Sequence, residues 1–367
     1  MRKLATIQRI VNLEPIEGAD KIEKATVLGW SLVVKKGEFS IGEPCIYVEI
    51  DSILPDRPEF DFMRERKFRV KTIKLRQQVS QGICFPLSIL PKEHRDIAID
   101  DDVTDILGIK KYDPQAEMEN KMIEQRAQVY KNRFDKFLKR YSWYRRLMFR
   151  PDRLPFPQFI SKTDEERVQN IPWILEKEKE TVFQLTEKLD GQSATYFLIK
   201  NPKQWQFWQP YLFGVCSRNF QLLKKDNSSY WRVAKTLNLR QKMIKFHKLM
   251  NQDIVIQGEI LGSKIQGNKY KVSGYEFYIF NAITGGNILN EHTLHTLSTY
   301  WGIKHVPYID FMDGFHLKET VQEVVEQSKG NSLLNKETMR EGIIVRNYEK
   351  GISFKVINPD FLLLHNE

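Results

Sequence analysis

The first hundred residues are cut into short apolar alternations that are too brief and too closely spaced for anything but a small β fold. Runs around Ala5 to Leu13, Glu23 to Leu28, Ser31 to Lys35, Cys45 to Ile50, Phe68 to Leu75 and Gln81 to Phe85 are separated by turn signals such as Gly18-Ala19-Asp20, Lys36-Gly37-Glu38 and Ile53-Leu54-Pro55. Short strands at this spacing remove their exposed edges best by closing on themselves, and the pattern predicts an OB-type β-barrel over residues 1–105. Phe68-Arg69-Val70-Lys71-Thr72-Ile73-Lys74-Leu75-Arg76 alternates basic with apolar side chains, so one face of that strand is expected to be cationic. A solvated face and a nucleic-acid groove are both open readings of it.

The pattern then changes. Residues 106–157 read as a basic helical linker. Of the net charge of +10, most lies in residues 110–153, with 13 Lys and Arg against 6 Asp and Glu. Arg140-Tyr141-Ser142-Trp143-Tyr144-Arg145-Arg146 interleaves cations with rings, which suits either stacked bases and phosphates or packing between two domains. Pro151, Pro155 and Pro157 end the helical reading. Thr163-Asp164-Glu165-Glu166 has the form of a capping box and predicts a helix start. Strand-like runs follow at Thr181 to Lys188, Ser193 to Ile199, Tyr211 to Ser217, Ile254 to Ile260, Tyr275 to Ala282, Gly342 to Arg346 and Ile352 to Lys355. Helical stretches around Tyr230 to Met250, Glu291 to Trp301 and Leu317 to Ser328 interrupt them. The expected class is α+β, with residues 158–367 forming a domain of mostly antiparallel sheets.

At 367 residues, 41% apolar and 28% charged, the chain has the composition of an ordinary multidomain globular protein. Its apolar runs are too short for a membrane span, and charged Arg2, Lys3 and Arg9 interrupt the N-terminus where a signal peptide needs apolar residues, so a soluble, intracellular protein is expected. Cys45, Cys84 and Cys216 form no CxxC pair and read as buried, inert thiols. His292 and His295 share a helix face without a third ligand nearby, which reads as a surface pair.

The chemistry is concentrated in a series of short motifs. Lys188-Leu189-Asp190-Gly191 closes a predicted strand and is followed in order by Cys216-Ser217-Arg218-Asn219, Gln257-Gly258-Glu259-Ile260, Phe277-Tyr278-Ile279-Phe280, Arg340-Glu341-Gly342-Ile343 and Ser353-Phe354-Lys355-Val356. Over about 160 to 358 this series resembles the covalent nucleotidyltransferases: DNA ligases, RNA ligases and mRNA capping enzymes. Within that superfamily it is most similar to ATP-dependent RNA ligases that carry an OB module before the nucleotidyltransferase domain. Gly258-Glu259-Ile260-Leu261-Gly262, Ile265-Gln266-Gly267-Asn268-Lys269-Tyr270 and Lys162-Thr163-Asp164-Glu165-Glu166-Arg167 share in that likeness. Only 12 residues follow Lys355, so the C-terminal OB domain of DNA ligases and capping enzymes is not expected here.

The resemblance implies that Lys188 is the nucleophile and forms a phosphoramidate with AMP. It implies sugar-phosphate contact by Arg218, stacking of Phe280 on adenine, α-phosphate contact by Lys355, and an adenine-amino contact for Glu187, with Gly191 in the nucleotide site. Such a lysine has to lose its proton, yet an amine of pKa about 10.4 is almost wholly protonated at neutral pH. Carboxylates holding a divalent cation beside it supply one remedy. Asp190, Glu259 and Glu341 are the carboxylates the motifs offer, and hard oxygen ligands select Mg2+ or Mn2+. The expected substrates are ATP and RNA bearing 3′-OH and 5′-phosphate ends, in a nicked duplex. A DNA ligase, a capping-type guanylyltransferase and a non-enzymatic RNA-binding protein on the same fold are the alternatives. One departure stands out: the relatives' KxK in the last motif is here Ser353-Phe354-Lys355.

Overall fold

The computed structural model describes residues 3–94, 97–113, 141, 152–203, 208–223 and 227–365. Most of the basic linker, residues 114–140 and 142–151, including the Arg140 to Arg150 run apart from Tyr141, lies outside the described residues.

The N-terminal unit is built on β1 (Ala5–Pro15), β2 (Ile22–Val27), β3 (Trp30–Lys35), β4 (Pro44–Val48), β5 (Ser52–Ile53), β6 (Arg69–Val70), β7 (Ile73–Leu75), β8 (Gln78–Ser80), β9 (Ile83–Phe85) and β10 (Lys110–Lys111). Its main sheet runs β3-β2-β1-β4-β9. The register shifts between Ile10 and Asn12, so β1 pairs with β4 through its first half and with β2 through its second. Such a bend lets one long strand belong to both walls of a barrel. Trp30, Tyr47, Phe60, Ile7 and Ile10 fill the interior.

Two expectations are corrected here and one is extended. The strand expected over Phe68 to Leu75 is interrupted: β6 and β7 are separate, and Phe68 takes a positive φ of 57° just before them. Its cationic face is therefore divided as well. The three cysteines are buried, as expected, but two of them are neighbours, with Cys45 Sγ 3.6 Å from Cys84 Sγ. And no helix starts at Thr163. Glu166 instead bonds the Arg167 amide at 2.9 Å and receives Asn170 Nδ2 at 2.8 Å, so it does not reach back to Thr163.

The remainder comprises β11 (Arg153–Pro155), β12 (Glu166–Arg167), β13 (Phe183–Lys188), β14 (Gln192–Lys200), β15 (Tyr211–Cys216), β16 (Phe220–Leu222), β17 (Ile254–Gly262), β18 (Tyr275–Thr284), β19 (Asn287–Ile288), β20 (Lys304–His305), β21 (Tyr308–Phe315), β22 (Gly342–Asn347) and β23 (Ile352–Ile357). They form two sheets, β11-β16-β15-β14-β17-β18-β19 with β20 on β18, and β12-β23-β22-β13-β21. All pairs are antiparallel except β12 with β23 and β18 with β20. The helical span expected from Tyr230 to Met250 is two helices, Ser229–Thr236 and Leu239–Met250, because Asn238 between them adopts φ 51°. Glu291–Trp301 is helical over the residues expected, and the third helix contracts to Val321–Gln327 behind a capping box at Thr320.

The two units are joined by buried contacts. The last helix, Pro359–His365, sends Phe361 and Leu362 into the core of the N-terminal barrel. Gly29 donates its amide to the Gln169 carbonyl at 2.8 Å, and a Cβ there would stand 2.9 Å from Val321 and from the Gln169 backbone. Trp30 Nε1 donates to Asn170, whose amide in turn donates to Glu49 at 2.6 Å.

His305 at the end of β20 is the one strongly perturbed histidine with a defined environment. Its ring stacks on Tyr308 at 4.5 Å, Nδ1 faces the Val306 carbonyl at 2.6 Å, and burial lowers its pKa from 6.5 to about 4. A histidine that is harder to protonate folded than unfolded costs stability as pH falls from 6.5 towards 4 and costs nothing above that window. Up to about 3 kcal/mol is expected to be lost across it. The His305→Asn variant should flatten this part of a Tm-versus-pH curve, and parallel curves for both proteins would contradict the assignment.

Candidate active site

Lys188 is the last residue of β13 in one sheet, and Gln192 is the first of β14 in the other. Lys188-Leu189-Asp190-Gly191 is thus the passage between the two sheets, and it lines a cleft of about 1010 Å³ bounded by both and by the N-terminal unit. Ladder register brings the acids to it. Lys188 pairs with Gly342 of β22, so Glu341, one residue earlier, reaches the amine: Lys188 Nζ donates to Glu341 Oε1 at 2.5 Å. Glu259 lies on β17 opposite Ser193 of β14. Gly191 permits that approach, since a Cβ at 191 would be 2.6 Å from the Ile260 carbonyl oxygen and 2.8 Å from Glu259 Cγ.

The electrostatics follow from this crowding. Burial disfavours the ammonium of Lys188, but Glu341, Glu259 and Asp190 outweigh it and hold its pKa above the ordinary lysine value. Burial pushes the Glu259 carboxyl up to about 8; Glu341 and Asp190 add to the rise, and Lys188 opposes it. Asp190 is paired with Lys269, and its amide donates to the Tyr270 hydroxyl at 2.8 Å. Among the described residues, no group of three or more His, Cys, Asp or Glu is placed to hold a metal ion directly. Lys188 is the counter-ion of Glu341 and Lys269 that of Asp190, while Glu259 acts on the amine through its nearby charge.

The other expected residues line the same cleft. Lys355 on β23, 8% exposed, donates to Asp164 at 3.1 Å, and Arg218 stands 3.5 Å from the same carboxylate. Phe280 on β18 packs against the apolar cluster that holds Leu189 and Val306, and its carbonyl receives Arg346 Nη1 at 2.9 Å. Glu187 is buried and turned from Lys188 by strand alternation. Its Oε2 accepts the Leu333 amide at 2.8 Å, its Oε1 is buried with no hydrogen-bond partner among the described residues, and burial raises its pKa.

Several residues of the cleft had no role assigned to them from the sequence, although Lys162 to Arg167 shared in the family likeness. Asp164 and Glu165 looked like capping-box filler, yet Asp164 meets Lys355, Arg218 and Lys111, while Glu165 pairs with Arg346 at 2.8 Å. Arg346 also pairs across the ladder with Ser353, the position of the motif departure, and its Nε lies 3.3 Å from Ser353 Oγ. Arg167, 5% exposed, bonds Asp51 of the N-terminal unit at 2.7 Å. Apart from Arg346 with Ser353, these partners are distant in sequence, so local patterns give no sign of them.

Two family models match this chain: an OB-fold domain over residues 4–87 and RNA ligase over residues 181–357. Among solved structures, an alanine mutant of Naegleria gruberi RNA ligase with ATP and Mn is 31% identical over 100% of both chains, with a TM-score of 0.81. The chain belongs to the RNA ligase family. The same Naegleria ligase with PPi is 33% identical over 100% of this chain and 99% of its own, with a TM-score of 0.79. A further alanine mutant, with AMP and Mn, is 32% identical over 98% of both chains, with a TM-score of 0.78. No curated protein matches. This ligase is therefore an enzyme of α+β class, with an OB-type barrel preceding the catalytic domain. Among its described residues no helix is long and apolar enough to cross a membrane.

Proposed function

We propose that this ligase seals RNA by three in-line displacements at phosphorus. The Lys188 amine attacks the α-phosphorus of ATP; an N–P bond forms and pyrophosphate leaves. AMP then passes to a 5′-phosphate end, and a 3′-hydroxyl displaces AMP as the phosphodiester forms. The observation that carries this reading is the meeting of Lys188 with Glu341, Glu259 and Asp190 at the turn between two sheets, inside a cleft large enough for a nucleotide.

The residues around that turn have suitable chemistry. Glu187 Oε1, buried and unpartnered, is an acceptor available to the adenine amino group. Phe280 offers a ring to the base, and Lys355 and Arg218 offer charge to phosphates as it develops in the transition state. With carboxylates alone around it Lys188 stays an ammonium; a bound Mg2+ or Mn2+, held through water by Asp190, Glu259 and Glu341, would lower the amine's pKa and offset the charge of the acids. Naegleria ligase structures with ATP and Mn support that pair of cofactors. The division into residues 1–105, 106–157 and 158–367 assigns the barrel and the basic linker to gripping the nucleic acid, whose binding should weaken steeply with salt.

The test is incubation with α-labelled ATP or GTP and magnesium, followed by denaturing electrophoresis, then sealing of all-RNA, all-DNA and mixed nicks. Acid-labile label from ATP together with sealing of RNA nicks is expected. Label from GTP alone would favour capping chemistry, and absence of label would leave a binding module.

A further inference from the structure

Asp164 stands where cations from three separate parts of the chain converge. Lys111, from β10 of the N-terminal unit, lies 3.2 Å from Oδ2; Arg218, beyond β15, lies 3.5 Å from the same oxygen; Lys355, from β23, lies 3.1 Å from Oδ1. Burial alone would raise this carboxyl, but Lys355, Lys111 and Arg218 hold it well below the ordinary range, so it is an anion at any working pH. Three cations drawn to one acceptor from chain segments 53, 54 and 191 residues away make an anion-binding site whose occupant belongs to the protein itself. Two of the three contacts are wet: the Asp164 side chain is 36% exposed, and Lys111 and Arg218 are 33% and 43% exposed. Pairs of that kind are individually weak, whereas Lys355, its side chain 10% exposed, is the buried contact a ligand has to win.

We propose that Asp164 is a specificity-determining residue of this cleft. It is an internal phosphate mimic that competes with incoming anions for Lys111, Arg218 and Lys355, and so sets a threshold of charge that a ligand must exceed. A singly charged anion cannot replace all three contacts without loss, because it gains no more than the carboxylate already supplies. A di- or triphosphate carries several acceptor oxygens and two or more charges, gains more than displacement of Asp164 costs, and enters. The proposal rests on the reading that phosphates occupy this cleft.

The probes are inorganic pyrophosphate and inorganic phosphate, with binding to the full chain measured by calorimetry, wild type against Asp164→Asn. The asparagine keeps an acceptor oxygen for the three cations and removes the charge. Both anions are expected to bind about tenfold tighter to the variant, because an internal competitor taxes every ligand that displaces it by the same factor, and phosphate, held below the threshold in the wild type, should become measurable. Adding Lys355→Met should abolish the gain. Binding of both anions to a folded Asn variant at wild-type strength or weaker would overturn the proposal and make Asp164 a structural tie. If the Asn variant does not fold, a crystal structure of the wild type with pyrophosphate decides. Asp164 displaced from the three cations supports the proposal, and Asp164 still within 3.5 Å of all three overturns it. Failure of the ligase reading is visible separately. Tighter binding of both anions in the variant, with no lysine labelling in the wild type, would sink the ligation chemistry and leave the anion site standing.

Discussion

Lys188→Met should yield no labelled adenylate, a fall on the order of 10³-fold or more, because loss of the nucleophile in covalent catalysis is not made up by the remaining groups. The same variant should also unfold more easily. Lys188 is the hydrogen-bonded partner of Glu341, whose side chain is 13% exposed, and removing one member of a buried ion pair strands the other. The expected cost is about 3 kcal/mol or less in denaturant unfolding of the metal-free protein, at the low end for buried pairs because Lys188 is itself 27% exposed. Lys188→Met with Glu341→Gln should recover most of that stability and none of the labelling. The double variant separates two roles that a single substitution confounds. Restored labelling in it would show that another amine is modified. A single variant as stable as the wild type would show that Glu341 does not depend on Lys188 for its counter-charge.

The sequence made the centre of this site legible and left its rim obscure. Lys188, Glu259 and Glu341 each sit at or beside an apolar strand run of six or more residues, long enough for alternation to be read, and antiparallel register then carries Glu341 to Lys188. Asp164 and Lys111 had no such support. Lys111 belongs to a two-residue strand that pairs with Ser52, and Asp164 lies just before another two-residue strand, both below the length at which periodicity has meaning. The Thr163 to Glu166 pattern satisfied a local capping rule, yet that segment is positioned by the parallel pairing of β12 with β23. A rule about four neighbouring residues cannot see a ladder partner nearly two hundred residues away. The division of the helix at Asn238 was hidden for a related reason. The left-handed conformation costs an asparagine little, and nothing in the flanking apolar spacing marks it. Also missed was the Pro359–His365 helix, which buries Phe361 and Leu362 in the barrel rather than in its own domain. Its seven residues are too few to show an amphipathic stripe.

Gly191→Ala should damage catalysis more than it damages folding. The added methyl would lie 2.6 Å from the Ile260 carbonyl oxygen, 2.7 Å from Leu261 Cδ2 and 2.8 Å from Glu259 Cγ. The leucine methyl can rotate aside, but the carbonyl belongs to the β14–β17 ladder, where Gln192 pairs with Ile260, so the strand or the turn has to move. Overpacking of this kind costs about 1–3 kcal/mol, which a protein of this size tolerates at low temperature. The displacement itself falls between Lys188 and Glu259, the two sides of the charge cluster. A shift near 1 Å there should slow single-turnover lysine adenylylation by about 10²-fold. The measurement is labelling rate at 15 °C, where the variant stays folded, beside its melting temperature. Slow labelling by a folded protein would tie the rate to the spacing between the turn and β17. A variant that melts early but labels at the wild-type rate would show that Glu259 can move without consequence, and its place among the working carboxylates would be lost.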